Sequence, residues 1–341
     1  MVEGRYLLSR VLVVVLVTSA AALYAAGGVE NRSDRAEGVS VGVFVPGVVD
    51  GSPSYELLVA GTRAAVNEFP TARLAVIEAG FDQSTWPDGL MAMAASGSYD
   101  IIVSSNPSMP EIAAEVVAQV PEVRFVVLDG ALAGVERLHT IVFDQDEQAY
   151  LSGYFAGLLT ASDLPNSNTE FRVGLLAGQE YPVMNDVILP AFTRGARDAN
   201  ASVQVDFRVL GNWFDAARAQ DLATDMIERG SDTILTIAGG GNQGVVSAAR
   251  ERGAYVLWYD DSGYEVAPGV VLGSTFVRLD AAARNAVTAA IDGELEYGIV
   301  RQLGVADGMV GFDTTHRAFR DNVPIALQTE MERVLATLAT Q

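Results

Sequence analysis

Beyond residue 38 the chain alternates short apolar runs with amphipathic stretches. Runs rich in β-branched residues at 39–45, 72–78, 101–105, 124–128 and 141–143 read as strands. Between them, apolar residues at helical spacing predict helices over 53–68, 85–96 and 110–120. A second series follows, with strands at 172–176, 203–210, 233–237 and 255–259 and helices over 184–199, 215–229 and 243–252. Continuous apolar strands separated by helices argue for parallel sheets covered on both faces, so the two series predict two doubly wound α/β lobes. A strand at 270–276, a helix over 281–292 and a strand at 308–312 are too few for a third lobe and are expected to return to the first two. A last helix is expected over 323–340.

The join between the lobes falls in residues 140–157. Thr140-Ile141-Val142-Phe143 reads as a buried strand, and Asp144, Asp146 and Glu147 put acidic groups where the positive end of a helix begins. Tyr150, Leu151, Tyr154, Phe155, Leu158 and Leu159 then recur at helical spacing, with Gly153 and Gly157 leaving room for close packing. The expected division is 39–143 plus 274–297 for the first lobe, 144–273 plus 298–315 for the second, and 316–341 as a C-terminal helical segment.

Composition narrows the classes of function. The 341 residues carry a net charge of −21, and all 22 basic residues are arginine. An acidic surface disfavours nucleic acids and anionic membranes, which need a basic face. Cysteine is absent, which removes disulfides, thiol nucleophiles and thiolate-bound metals. The two histidines, His139 and His316, have no second metal ligand at motif spacing, and no Ser/His pair supports nucleophilic catalysis. Paired carboxylates such as Asp129 with Asp260 could do acid–base work, but so acidic a chain makes such pairs easy to find. A non-enzymatic protein is expected, with no cofactor and no metal.

At the N-terminus, Arg5 and Arg10 precede the apolar run 11–26, which ends in small residues: the order of a secretory signal peptide over 1–26. The run is short for a spanning helix, so cleavage is expected over an uncleaved anchor. Residues 27–38 read as a polar linker. The mature protein is expected to be periplasmic or otherwise extracytoplasmic, and monomeric.

In open α/β sheets the ligand lies beyond the carboxyl ends of the strands, and with two lobes that means the cleft between them. The residues after each strand therefore carry the functional argument. Ser52 suits an N-cap and Pro53 a first helical turn, which puts Ser54 and Tyr55 at a helix mouth facing the cleft. Ser104-Ser105-Asn106 and Asp129-Gly130 follow the third and fourth strands. In the second lobe, Gly211-Asn212-Trp213-Phe214-Asp215 precedes a helix with Asp215 as its N-cap. Phe214 reads equally well as a cap on a local core. Trp213, paired across the cleft with Tyr55, reads as a ring-stacking residue; aromatic pairs add about 0.5–1.5 kcal/mol each beyond area burial.

Residues 239–244 form G-x-G-x-x-G with Asp260 and Asp261 some way on, the outline of a dinucleotide site. The run follows the third strand of the second lobe rather than opening a domain, and a tight turn with close backbone approach explains the glycines as well. Of Asp260 and Asp261, the first is assigned to the ligand and the second to turn chemistry.

Three segments together carry a family resemblance: Phe143-Asp144-Gln145-Asp146-Glu147-Gln148-Ala149-Tyr150-Leu151-Ser152-Gly153, Gly211-Asn212-Trp213-Phe214-Asp215, and Ala238-Gly239-Gly240-Gly241-Asn242-Gln243-Gly244. In this order they resemble the basic membrane protein family, substrate-binding components of ABC importers related to the purine nucleoside receptors of spirochaetes. The likeness extends over nearly all of 39–315, including 121–130, and implies a type I periplasmic-binding fold with three hinge crossings. It also implies an ABC permease and ATPase as partners; a sensor feeding a membrane signalling protein would have identical lobes.

The departures bear on the ligand. The receptors' Asp-x-Ser-Phe-Asn signature is replaced by Gly51-Ser52-Pro53-Ser54-Tyr55-Glu56, which keeps an aromatic at Tyr55. Trp213 falls on the second stacking aromatic and Asp260 on the ribose- or base-binding aspartate. The family lysine after the hinge strand has no counterpart; Phe276 and Arg278 stand nearby. Residues 44–56 are more similar to the riboflavin-binding branch, and a larger ring would suit Tyr55, Trp213, Trp258 and Tyr259. Riboflavin is the expected ligand and a purine nucleoside the alternative. The expected contacts are Ser54, Tyr55, Asn106, Asp129, Asp144, Gln145, Trp213, Gly240, Tyr259, Asp260 and Phe276, with closure about crossings near Phe143 and Ser274.

Overall fold

A computed structural model describes residues 38–50 and 52–340. The expected signal peptide and all but the last residue of the expected linker lie outside the described residues. Among the described residues, no helix is long and apolar enough to cross a membrane.

The first series folds as β1 (Ser40–Val45), α1 (Pro53–Val66), β2 (Arg73–Glu78), α2 (Trp86–Ala95), β3 (Ile101–Ser105), α3 (Met109–Gln119), β4 (Arg124–Leu128) and β5 (Leu138–Phe143). The second runs α4 (Gln145–Thr160), β6 (Arg172–Ala177), α5 (Leu189–Ala199), β7 (Gln204–Val209), α6 (Ala216–Glu228), β8 (Ser231–Ile237), α7 (Asn242–Arg252), β9 (Tyr255–Trp258) and β10 (Val271–Val277). The chain ends with α8 (Leu279–Asp292), β11 (Val300–Leu303), β12 (Val310–Phe312), α9 (Arg317–Asn322) and α10 (Ile325–Leu338). Two six-stranded sheets result, ordered β11-β5-β4-β3-β1-β2 and β12-β10-β9-β8-β6-β7. Every pairing is parallel except β10 with β12.

β1, β3 and β4 are almost wholly buried because helices cover both faces, which is why they read as unbroken apolar runs. The chain passes between lobes three times: from β5 into α4, from β10 into α8, and from β11 into β12. At the first crossing Asp144 caps α4, its Oδ1 accepting from the Glu147 amide at 2.9 Å.

Two boundaries differ from the sequence reading. β10 stays paired with β12 as far as Val277, so the second crossing lies at Val277–Arg278 rather than at Ser274. Residues 300–303 form a strand that pairs with β5 in the first sheet, although 298–315 were expected in the second lobe. Val300-Arg301-Gln302-Leu303 is an exposed edge strand with only Leu303 buried, so it lacks the apolar run that marked its neighbours. The expected final helix is also broken. Val323 is held extended before Pro324, which separates α9 from α10.

Candidate functional site

In parallel sheets the loops after β1–β4 and after β6–β9 gather at one end of each lobe, and these loops face each other across the cleft. In the first lobe Tyr55 is half-buried in the first turn of α1, and its hydroxyl donates to the Pro46 carbonyl at 3.1 Å. Gly47 is required beneath it: a Cβ there would stand 2.7 Å from the Tyr55 ring and 3.0 Å from the ring of Phe81. Phe81 is 67% exposed in the loop after β2. Asn106, after β3, lies against the Tyr55 hydroxyl, and its Oδ1 accepts from the Ser108 amide at 3.0 Å. Asp129, directly after β4, adopts φ 59°, a left-handed conformation uncommon for any residue but glycine and most tolerable for Asn and Asp.

In the second lobe the loop of Trp213 is built by its own polar groups. Asn212 Oδ1 accepts from the amides of Phe214 at 3.0 Å and Asp215 at 2.8 Å, and the Gly240 amide donates to the Trp213 carbonyl at 2.8 Å. Asp215 caps α6 through the Arg218 amide at 3.0 Å. The Trp213 indole lies over Gly178, where any Cβ would collide with it, and its centroid is 6.2 Å from that of Tyr181. Trp213 remains 41% exposed and Phe214 77% exposed, so Phe214 does not cap a local core.

Asp260 is the second residue after β9 and is also left-handed, at φ 70°. Its Oδ1 accepts from Gln148 Nε2 at 3.0 Å, and the same amide reaches Thr275 Oγ1 at 3.3 Å. Gln148 lies on α4 beside the first crossing and Thr275 on the strand that leads to the second. One buried amide thus ties a cleft carboxylate to the elements that flank two of the three crossings. Asp261 Oδ1 accepts from the Ser262 amide at 2.6 Å and belongs to the turn, the division assigned from the sequence.

The two aspartates feel each other across the cleft. Burial first, and then the charge of Asp260, pushes the Asp129 carboxyl up to about 7. Burial raises Asp260 to about 6, opposed by the Gln148 hydrogen bond and aided by the charge of Asp261. Asp260 remains exposed to solvent despite its many protein neighbours. Burial and the charges of Asp260 and Asp129 push the Tyr181 phenol up to about 12.

A carboxyl raised in the folded state stabilises the fold on protonation. The ligand-free protein therefore gains stability from Asp129 as pH falls from about 8 through about 7, and the gain is complete near the unfolded value of about 4. Asp129→Asn is expected to raise the melting temperature at pH 8 by about 2–4 °C, equivalent to about 1 kcal/mol in a chain of this size. It should also flatten the melting profile between about pH 4 and 8. A variant that melts as the wild type does at every pH would contradict the strained ionised Asp129.

The cleft gathers Tyr55, Asn106, Asp129, Trp213 and Asp260. Ser54 is exposed beside Tyr55, and Gln145 is half-buried at the first crossing. The other candidates also make contacts within the protein. Asp144 spends its Oδ1 on the cap and its Oδ2 on Gln302 Nε2 at 2.6 Å. Tyr259 is buried, and its hydroxyl, without a hydrogen-bond partner among the described residues, lies within electrostatic reach of Asp260 and Tyr181. Phe276 lies against Gly311 of the neighbouring strand. The glycines of 239–244 serve close approach: a Cβ at Gly241 would meet Leu210, and one at Gly244 the Ala216 carbonyl of α6. The ring partner of Trp213 is Tyr181 of its own lobe rather than Tyr55.

The sequence reading missed Phe81, Tyr181 and Gln148. Aromatic residues in the loops after β2 and β6 were the available signal for the first two; nothing local marks Gln148. A separate cavity of about 290 Å³ between α4 and α10 is lined by Tyr150, Tyr154, Arg194 and Arg333. Its arginines are already paired, Arg194 with Asp146 and Arg333 with Glu330.

Two doubly wound lobes joined by three crossings are the fold of type I periplasmic solute-binding proteins. Residues 38–336 match the Bmp family, described as ABC transporter substrate-binding protein PnrA-like, and the chain belongs to that family. It is 26% identical over 234 residues to a CD4+ T-cell-stimulating antigen of Listeria monocytogenes, covering 64% of this chain and 63% of that one. It is 24% identical over 152 residues to the ABC transporter nucleoside-binding protein BmpA of Lactococcus lactis, covering 45% and 41%. The matched stretch is thus less than two thirds of either relative's length. The crystal structure of an ABC transporter solute-binding protein from Aeropyrum pernix K1 superposes with a TM-score of 0.72 at 20% identity, covering 89% of this chain and 90% of that one.

Proposed function

We propose that this protein is the exported capture component of an ABC importer and that it takes riboflavin into the cleft. The observation that carries the reading is the exposed Trp213 ring, set beside Tyr181 in a cleft whose two lobes contribute the interacting carboxylates of Asp260 and Asp129. A flat heteroaromatic ring buries its faces on such side chains. Ring N–H groups and chain hydroxyls donate to carboxylates, which accept only. Closure about the three crossings buries the ring and offers a changed surface to a permease and its ATPase. No catalytic step is assigned.

A purine nucleoside is the second reading. It is favoured by the Lactococcus lactis relative, a nucleoside-binding protein, and ribose hydroxyls suit the same carboxylates.

Trp213→Ala is expected to weaken riboflavin binding at least about tenfold, in keeping with the roughly 1–3 kcal/mol of a ring stacked on an aromatic side chain. Fluorescence titration of ligand-free wild type and variant reads this directly. Equal affinity in the two proteins would remove Trp213 from the site.

A further inference from the structure

The two sheets correspond strand for strand, β1 to β6, β2 to β7, β3 to β8 and β4 to β9. The side chains at their carboxyl ends correspond as well. After the first strand of each lobe stands a glycine on which an aromatic ring lies, Gly47 under Tyr55 and Phe81, and Gly178 under Trp213. The same loops supply a tyrosine each, Tyr55 and Tyr181. The loop after the second strand supplies the other ring, Phe81 in one lobe and Trp213 in the other. The loop after the fourth strand supplies a left-handed aspartate, Asp129 and Asp260.

Phe81 is the unexplained member of this set. An aromatic ring 67% exposed on a folded surface leaves its apolar area in water, and here the ring lies against the backbone at Gly47. Tyr181 is its counterpart's neighbour, half-buried and within the electrostatic reach of both aspartates.

We infer that Phe81 and Tyr181 are ligand-contacting, specificity-determining residues. Each lobe then contributes a two-ring wall and one acceptor, and the cleft selects a fused ring system of three rings over one of two. The inference rests on the reading of this cleft as the ligand site. A bicyclic purine is covered by one ring from each lobe. A tricyclic isoalloxazine has a longer face to lay on the second ring of each wall, with its one ring N–H and the hydroxyls of its side chain as donors to the two aspartates.

The test compares wild type, Phe81→Ala and Tyr181→Ala in calorimetric titrations with riboflavin, with lumichrome as the bare tricyclic ring, and with guanosine. Melting temperatures confirm that each variant is folded; Phe81 is exposed, so its removal leaves no cavity. Each substitution is expected to weaken riboflavin and lumichrome about tenfold and guanosine less than threefold. If wild type binds riboflavin and the variants bind it equally well, the inference falls while the flavin reading stands. If the variants weaken guanosine as much as riboflavin, the two residues do not select ring size and the inference falls. If wild type binds guanosine alone, the flavin reading fails and the three-ring selectivity fails with it.

Discussion

Asp260→Asn is expected to weaken ligand binding by about thirtyfold or more while leaving the fold intact. Asparagine tolerates the left-handed conformation that Asp260 occupies at φ 70°, and its side-chain oxygen still accepts from Gln148. What disappears is the negative charge and one acceptor at the cleft wall. Truncating one partner of a desolvated, charged hydrogen bond costs about 2–5 kcal/mol, and each 1.4 kcal/mol is tenfold in affinity. Titration of the variant at about pH 8, where wild-type Asp260 is ionised, measures the effect. Near pH 5 the wild-type carboxyl is largely protonated, so the two proteins should converge there. Wild-type affinity in the variant at pH 8 would take Asp260 out of ligand recognition.

Gly153→Val is expected to destabilise the protein by at least about 3 kcal/mol, a large part of the 5–15 kcal/mol typical of a folded domain. Gly153 on α4 faces Gly195 on α5, and the two backbones touch. A Cβ on Gly153 would overlap the Phe192 carbonyl oxygen, and one on Gly195 the Tyr150 carbonyl. Gly157 meets the Ala196 carbonyl in the same way one turn further on. The overlap cannot be relieved by a side-chain rotation, because backbone lies on both sides. Nor can α4 retreat, since Leu151, Phe155, Ala156 and Leu159 are buried against the second sheet and the C-terminal helices. Urea denaturation of the variant should show a much lower midpoint or an unfolded chain; a midpoint within error of wild type would contradict this helix contact.

The α4 glycines were legible because their spacing in an apolar helical stretch has one common reason, close packing. The parallel strands were legible for a related cause: burial on both faces leaves continuous β-branched runs. Asp144 and Asp215 announced helix starts, and both cap as expected. Ser52 stands at the N-cap position of α1, but its hydroxyl makes no capping bond.

What escaped the sequence depends on distance or exposure. Gln148 finds Asp260 from 112 positions away, a pairing that exists only once the two elements pack. Val300–Leu303 pairs along its backbone with β5 while all its side chains but that of Leu303 face water, so no apolar pattern marks it. Phe81 sits in a polar loop without periodicity, and its meaning comes from the neighbouring turn at Gly47. From the sequence, Asp144 is expected to offer its acceptor oxygens to the ligand. Geometry gives its carboxylate to the α4 cap and to Gln302, which joins β11 to the same crossing.

The cleft electrostatics also bear on closure. Bringing Asp129 and Asp260 together with nothing between them is opposed by like-charge repulsion above about pH 7. A ligand that places donors between the two carboxylates removes that opposition, so closure and recognition are the same event in this account.

The most direct test is calorimetric titration of the ligand-free protein with riboflavin at about pH 8, repeated at several temperatures. The account predicts saturable binding of one ligand per chain, with a negative heat-capacity change from burial of the ring and the aromatic walls. Binding of guanosine with no heat from riboflavin would transfer the site to the nucleoside reading. No saturable heat from either would contradict capture of a flat ring in this cleft.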